Sequence, residues 1–166
     1  MLYYKTVIKN RKRDYLMIKV LFVCHGNICR SPMAEFVFKD MVKKAGRADE
    51  FIIASAATST EEIGNPVHPG TKRKLASVGI SCDGKCAVQL KKSDYTEYDL
   101  FVCMDSNNVR NALRIFGGDS ENKVCKMMDF TCRKGDVADP WYSDRFDVAF
   151  SDIYDGCVGL MESINN

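Results

Sequence analysis

The sequence predicts an α/β fold, namely a single three-layer domain with a central four-stranded parallel sheet and helices on both faces. Short apolar runs rich in β-branched residues alternate with longer segments of helical periodicity, as in parallel sheets whose strands are joined by helices. The 166 residues are enough for one domain with a hydrophobic core. No repeat, low-complexity tract or linker divides the chain.

The first half of the chain supplies two strands and two helices. Residues 19–23 form an apolar run that predicts a buried strand. Residues 32–45 begin with a proline and repeat apolar side chains on one face, which predicts a helix. Residues 51–54 predict the second strand, and residues 70–78 a helix that ends at Gly79.

The second half repeats this alternation. Residues 100–104 are apolar and predict a third strand, followed by a helix over residues 106–116. Residues 124–128 predict the fourth strand, and residues 146–164 a long final helix.

Two irregular loops, residues 55–69 and 129–143, complete the predicted order of elements. Ligands of parallel sheets bind beyond the carboxyl ends of the strands. This rule places the functional site at the loops that start at Cys24, Ser55, Asp105 and Asp129.

Composition excludes several classes of protein. A net charge of +2 gives no reason to expect a nucleic-acid partner, and no apolar run is long enough to span a membrane. Residues 1–16 are basic and lack the apolar core of a signal peptide. We expect them to be an N-terminal extension without ordered structure, and residues 17–166 to be the domain.

The eight cysteines are expected to be reduced thiols in a cytoplasmic protein. The chain is not small, and Cys24, Cys103 and Cys125 fall inside apolar runs. The chain contains no CxxC pair and only two histidines, so no zinc or other metal site is predicted.

Cys24 and Arg30 are separated by five residues in a loop that directly follows the first strand. Such a loop is short enough to curl around one tetrahedral anion, with its backbone N–H groups and the next helix N-terminus pointing inward. Gly26 and Asn27 tolerate the left-handed backbone that this curl requires. Arg30 offers a planar fork for two phosphate oxygens, and Ser31 can cap the helix.

These surroundings favour an ionised sulfur on Cys24, because N–H dipoles and an arginine stabilise a thiolate. A thiolate beneath a bound phosphate is a nucleophile aimed at phosphorus, so a phosphocysteine intermediate is expected. Inorganic phosphate or sulfate is the expected small ligand of this loop. The nucleotide-binding pattern GxxxxGK[ST] is absent.

Residues 20–35, VLFVCHGNICRSPMAE, resemble the signature of low-molecular-weight protein tyrosine phosphatases. Residues 55–59 resemble the second active-site loop of that family, residues 99–107 its third strand, and residues 139–142 its Asp-Pro-Tyr-Tyr acid loop. The resemblance implies a phosphotyrosine phosphatase I-like fold and hydrolysis of phosphotyrosine proteins and small aryl phosphates. It further implies a protein that needs no cofactor and is a monomer or weak dimer.

The resemblance also implies a role for each matching residue. Cys24, Arg30 and Asp139 are the expected catalytic residues, with Asp139 as the general acid that later activates water. The expected substrate-binding residues are His25, Gly26, Asn27, Ile28, Cys29, Ser31, Ser55, Glu61, Trp141 and Tyr142.

Several of these roles are specific. Trp141 and Tyr142 correspond to the aromatic pair that walls the pocket, and Ser31 to the hydroxyl that hydrogen-bonds the nucleophile. Asn27 and Ser55 correspond to the pair that fixes the loop. The neighbouring Cys29 corresponds to a second loop cysteine, which could trap oxidised Cys24 as a disulfide.

The chain departs from the family pattern at three places. Glu61 stands where an aromatic is common, and a carboxylate there would favour substrates with basic flanking residues. Lys85, Cys86 and Val88 align with the usual histidine and arginine positions, so the hydrogen bonds around the loop are expected to differ. Trp141 replaces a tyrosine that is phosphorylated in some relatives, which makes such regulation doubtful here.

Other functions remain open at this point. An arsenate reductase on the same fold needs further redox cysteines, and Cys103 could match one, but residues 107–113 contain no partner cysteine. A protein arginine phosphatase is the second alternative, although the apolar Ile28 suits an aromatic ring better than a guanidinium. A non-catalytic phosphate-binding module and a redox switch built on Cys24 and Cys29 belong to a different class.

Overall fold

A computed structural model describes residues 17–165, so the predicted N-terminal extension over residues 1–16 lies outside the described residues. In this part of the chain the strands are β1 (Ile18–Cys24), β2 (Phe51–Ala57), β3 (Leu100–Cys103) and β4 (Val124–Lys126). The helices are α1 (Arg30–Lys44), α2 (Pro69–Ala76), α3 (Asp94–Glu97), α4 (Ser106–Phe116), α5 (Pro140–Ser143) and α6 (Phe146–Asn165).

The four strands form one parallel sheet in the order β2-β1-β3-β4. Cys24 at the end of β1 pairs with Ala57 at the end of β2. On the other side, Val23 pairs with Cys103 at the end of β3. The register therefore brings the carboxyl ends of the three strands to one edge, where the predicted functional loops begin.

Alternate residues of β1 point to opposite faces of the sheet, and each face has its own buried cluster. Val20 and Phe22 belong to the cluster formed with α1 and α6. Leu21 and Val23 belong to the cluster formed with α4. These clusters confirm the predicted three layers. Full burial of each large apolar side chain stabilises the fold by about 1.5–3 kcal/mol.

The fourth strand is shorter than predicted, because the chain turns into a 3-10 helix (Met127–Phe130) immediately after Lys126. This turn lies tightly against α6. A Cβ at Gly156 would stand 2.3 Å from the Met127 sulfur, and one at Gly159 would stand 1.9 Å from the Phe130 carbonyl oxygen. Two glycines on α6 thus admit the turn, and the turn directs the following loop toward the edge of the sheet that carries Cys24.

Four buried cysteines should make the protein less stable at alkaline pH. Burial raises the pKa of Cys29 to about 12 and also raises the pKa values of Cys103, Cys125 and Cys157. Above the ordinary thiol pKa, the unfolded chain releases these protons while the folded chain retains them, so the free energy of unfolding falls as pH rises. We expect a loss of about 1 kcal/mol per thiol between pH 9 and 10. Denaturant unfolding in the presence of reductant measures it, and an unfolding free energy constant over that interval would contradict it.

No helix within residues 17–165 is long and apolar enough to cross a membrane. The same residues contain no group of three or more histidine, cysteine or acidic side chains arranged to hold a metal ion.

Candidate active site

The loop between β1 and α1 owes its curl to one asparagine. Asn27 is fully buried and has a φ of 58°, a left-handed conformation that asparagine tolerates better than most residues. Gly26 does not have the positive φ that the sequence suggested. Its small size matters instead, because a Cβ there would lie 3.2 Å from Glu62 Cγ.

Ser31 does not cap α1, contrary to the prediction, because the helix already begins at Arg30 and Cys29 occupies the N-cap position. The Ser31 side chain lies instead beside the nucleophile candidate, with its Oγ 3.0 Å from Cys24 Sγ. The backbone N–H of Asn27 also donates to this sulfur, at 3.3 Å. Cys24 is buried at the floor of a cavity of about 270 Å³.

The hydrogen bonds behind the loop determine which atom donates to the sulfur. The Val88 N–H donates to Asn27 Oδ1 at 3.0 Å, which fixes the orientation of the amide. Asn27 Nδ2 then donates to both Ser31 Oγ and Ser55 Oγ, each at 2.8 Å. Because Ser31 Oγ accepts this bond, its own proton is available to Cys24 Sγ. Ser31 thus stabilises a negative charge on the sulfur.

These hydrogen bonds continue to the buried carboxylate of Glu35, which pairs with two lysines. Ser55 Oγ donates to Glu35 Oε2 at 2.5 Å. Lys85 Nζ lies 3.2 Å from the same carboxylate oxygen and also donates to the Ser55 carbonyl at 3.0 Å. Lys39 Nζ contacts the other carboxylate oxygen at 2.5 Å. The departure at Lys85 therefore supplies a cation for buried Glu35, whereas Val88 acts on Asn27 through its backbone alone.

Arg30 is the buried cation of the cavity. Its Nη1 donates to Asp105 Oδ2 and its Nη2 to Asp139 Oδ2, both at 2.8 Å. Burial by itself disfavours the guanidinium charge. Negative charge at Cys24, Asp139 and Asp105 outweighs burial and raises the pKa of Arg30. The side chain is therefore a permanent cation, held on the same side of the cavity as the loop.

Asp139 faces the loop from the N-terminus of α5, where it is the N-cap residue. Its Oδ1 accepts from the Trp141 N–H at 3.1 Å, while its Oδ2 accepts from Arg30. Trp141 and Tyr142 follow in α5 and are 57% and 87% exposed, as side chains at a cavity mouth can be. Trp141 also contacts the ring of His68 edge-on, with 5.9 Å between the ring centroids.

Two glutamates also line the cavity. Glu61 Oε2 lies 3.0 Å from His25 Nε2, and both side chains are more than half exposed. Glu62 Oε2 accepts from Asn65 Nδ2 at 2.6 Å, and this neutral partner does not cancel its charge.

Most residues predicted for the site line one cavity, but three do not. The side chains of Asn27, Ser31 and Ser55 lie behind the loop and support it from there. The predicted residues that line the cavity are Cys24, His25, Gly26, Ile28, Cys29, Arg30, Glu61, Asp139, Trp141 and Tyr142.

Sequence reasoning missed some lining residues. Asp105 is the most consequential, because it holds Arg30, and the strand-end rule had pointed to its loop without giving it a role. No spacing signal identified the remaining lining residues, which are Glu62, Asn107, Asn108 and Asn111.

A short loop at the carboxyl edge of a parallel sheet, with a cysteine sulfur, a buried arginine and a carboxyl group around one cavity, is the arrangement typical of cysteine-dependent phosphatases. Comparison with known proteins agrees with this class. The family model for low molecular weight phosphotyrosine protein phosphatase matches residues 19–166. The chain therefore belongs to the low-molecular-weight protein tyrosine phosphatases, a family of hydrolases.

Individual relatives match along most of their length. The low molecular weight protein-tyrosine-phosphatase YfkJ of Bacillus subtilis is 38% identical over 150 residues, which cover 89% of this chain and 96% of the relative. PtpA of Staphylococcus epidermidis, a phosphatase of the same description, is 33% identical, with coverage of 89% and 94%. The crystal structure of YfkJ matches with a TM-score of 0.86, covering 90% of this chain and 95% of that one. That of SP-PTP from Streptococcus pyogenes is 39% identical and matches with a TM-score of 0.79, covering 88% and 92%. The predicted fold and family are thus confirmed.

Proposed function

We propose that this protein hydrolyses phosphotyrosine in proteins, and small aryl phosphates, through a phosphocysteine intermediate. The observation that carries the proposal is the convergence of Cys24, Arg30 and Asp139 on one cavity. A nucleophile, an oxyanion-binding cation and an acid are the three groups that cleavage of a phosphate monoester requires.

The first step transfers the phosphoryl group to sulfur. Arg30 and the loop N–H groups hold the phosphate oxygens above Cys24 Sγ, whose lone pair attacks phosphorus. The P–O bond to the tyrosyl oxygen breaks, and that oxygen takes a proton from the carboxylic acid of Asp139.

The second step releases phosphate. The Asp139 carboxylate takes a proton from a water molecule, and the water oxygen attacks phosphorus as the P–S bond breaks. The products are inorganic phosphate and the Cys24 thiolate, which Ser31 Oγ stabilises from 3.0 Å.

The walls of the cavity support an aryl substrate. Ile28 belongs to the loop itself, is 8% exposed and lines the cavity, while Trp141 and Tyr142 stand at the cavity mouth. A phenyl ring can pack against these apolar surfaces, whereas a phosphoserine side chain gains no such contact. An apolar wall at Ile28 also offers nothing to the charged guanidinium of phosphoarginine.

The mouth of the cavity favours basic residues next to the phosphotyrosine. Glu61 and Glu62 line it with two carboxylates, against a single imidazole on the neighbouring His25. Acidic flanking residues would meet like charges there, so a substrate protein with lysine or arginine beside the tyrosine is the better match.

Arsenate reduction has less support. Cys103 is fully buried at the end of β3, and burial raises its pKa, which disfavours the thiolate needed for redox exchange. A disulfide between Cys24 and Cys29 stays a prediction, since both are free thiols in the structure.

The experiment that tests this function compares kcat/KM for one peptide carrying phosphotyrosine, phosphoserine or phosphoarginine, with arsenate reduction measured alongside. We expect phosphotyrosine to be preferred by on the order of 10²-fold or more, because only its ring packs against Ile28, Trp141 and Tyr142. EDTA should leave the rates unchanged. Faster cleavage of phosphoarginine, or thiol-dependent arsenate reduction, would assign the site to the corresponding alternative.

The same assay examines the charge of the cavity mouth. Phosphotyrosine peptides flanked by lysine should be cleaved several-fold faster than those flanked by glutamate, and added salt should shrink the difference. Glu61→Gln should reduce this preference, with Glu97→Gln on α3 as the matched control, since Glu97 is not among the lining residues.

A further inference from the structure

We propose that Asp152 is a positioning residue that holds the loop carrying Asp139 in place while Arg30 binds phosphate. This inference rests on the proposed role of Asp139 as general acid. Asp152 lies on α6, outside the cavity, and is 7% exposed. Its Oδ2 accepts the backbone N–H of Ala138, the residue before Asp139, at 3.2 Å.

Arg30 cannot hold this loop alone during the reaction. It contacts the loop twice, through Asp139 Oδ2 at 2.8 Å and through the Val137 carbonyl at 3.4 Å. A phosphate held above Cys24 competes for the same guanidinium N–H groups, since phosphate oxygens and carboxylate oxygens use the same donors. The contacts that position Asp139 for proton transfer must therefore include some that are independent of Arg30.

Two such contacts lie on the two residues before Asp139. The Val137 N–H donates to the Met104 carbonyl at 2.9 Å, which ties the loop to the end of β3. The Ala138 N–H donates to Asp152, which ties the loop to α6. Of these two, only the Asp152 contact is made by a side chain, so it can be removed by substitution without altering the sheet.

The Asp152 carboxylate is itself held firmly. Its Oδ1 lies 2.9 Å from Arg133 Nη1, and Arg133 Nη2 donates to Asp155 at 2.8 Å. Asp152 sits in the first half of α6, the helix against which the Met127–Phe130 turn is tightly packed. A charged acceptor on a packed helix fixes the Ala138 N–H more firmly than mobile solvent would. This matters because the rate of proton transfer falls steeply when the general acid is misplaced.

The test is the dependence of kcat/KM on the leaving group. Aryl phosphates whose phenols range in pKa from about 4 to about 10 need progressively more help from a general acid. We expect Asp152→Ala to lower kcat/KM by about 10-fold or more for phenyl phosphate and much less for the most acidic phenol. Asp152→Asn keeps an oxygen acceptor for Ala138 and should restore most of the loss. Asp155→Asn, which cuts only the exposed pair with Arg133, should match the parent enzyme.

The outcomes separate this inference from the proposed function. An equal loss for all leaving groups, or no loss in folded Asp152→Ala, would overturn the role of Asp152. If Asp152→Ala does not fold, Asp152→Glu keeps the charge for Arg133 but moves the acceptor by one methylene. It must then show the same dependence on the leaving group. Absence of that dependence in Asp139→Asn would instead show that Asp139 is not the acid.

Discussion

Cys24→Ser is expected to abolish turnover of aryl phosphates while leaving inorganic phosphate binding intact. A neutral hydroxyl cannot replace a thiolate as the nucleophile, so the rate should fall by on the order of 10⁴-fold or more. In the proposed mechanism the loop N–H groups and Arg30 hold the anion, and Arg30 is positioned by Asp105 and Asp139 rather than by the sulfur. Steady-state hydrolysis and phosphate titration of the folded variant measure the two effects.

Cys29→Ser is the matched control for this substitution. Cys29 lines the same cavity, but burial raises its pKa to about 12, so it is a neutral thiol at working pH. Under reducing conditions this variant should retain activity. Residual turnover in Cys24→Ser, together with inactivation of Cys29→Ser, would show that Cys29 and not Cys24 is the nucleophile.

Asp139→Asn is expected to slow hydrolysis of phenyl and tyrosyl phosphates by on the order of 10²–10⁴-fold. The amide oxygen can still accept from the Trp141 N–H, so the N-terminus of α5 should survive, whereas the NH2 group in place of Oδ2 cannot accept from Arg30. An amide is not acidic enough to protonate the leaving oxygen. Both kcat and kcat/KM should fall, because the same carboxylate activates water in the second step. Activated aryl phosphates should be affected less.

The control for the acid is Asp144→Asn. Asp144 follows α5 with a φ of 54°, a conformation that asparagine tolerates, and it does not line the cavity. This variant should be as active as the parent. An unchanged rate for Asp139→Asn at neutral pH would mean that another group supplies the proton. Asp105, the other carboxylate that accepts from Arg30, would be the first candidate.

The positions of the strands and of the major helices could be predicted because they depend on local patterns of apolar residues. The last strand was predicted too long, because the apolar residues 127 and 128 suit a strand as well as a buried 3-10 turn. The turn packs closely against Gly156 and Gly159 of α6, and this contact cannot be read from the local sequence. The same limit applies to Gly26, whose residue type fits a left-handed turn but whose small size serves the close approach to Glu62. The residue type of Ser31 suggested a helix cap, and only the family resemblance implied a hydrogen bond to the nucleophile, where its hydroxyl lies in the structure.

The sequence by itself determined the order of the elements, the anion loop with its cysteine and arginine, and the loop that carries Asp139. All of these are contiguous in the chain, so spacing and residue type suffice to identify them. Only the tertiary structure decided that Asp105 shares Arg30 with Asp139 and that Asp152 holds Ala138. The physical reason is that these contacts join residues far apart in sequence, and the packing of β3 and α6 against the loops brings them within hydrogen-bond distance.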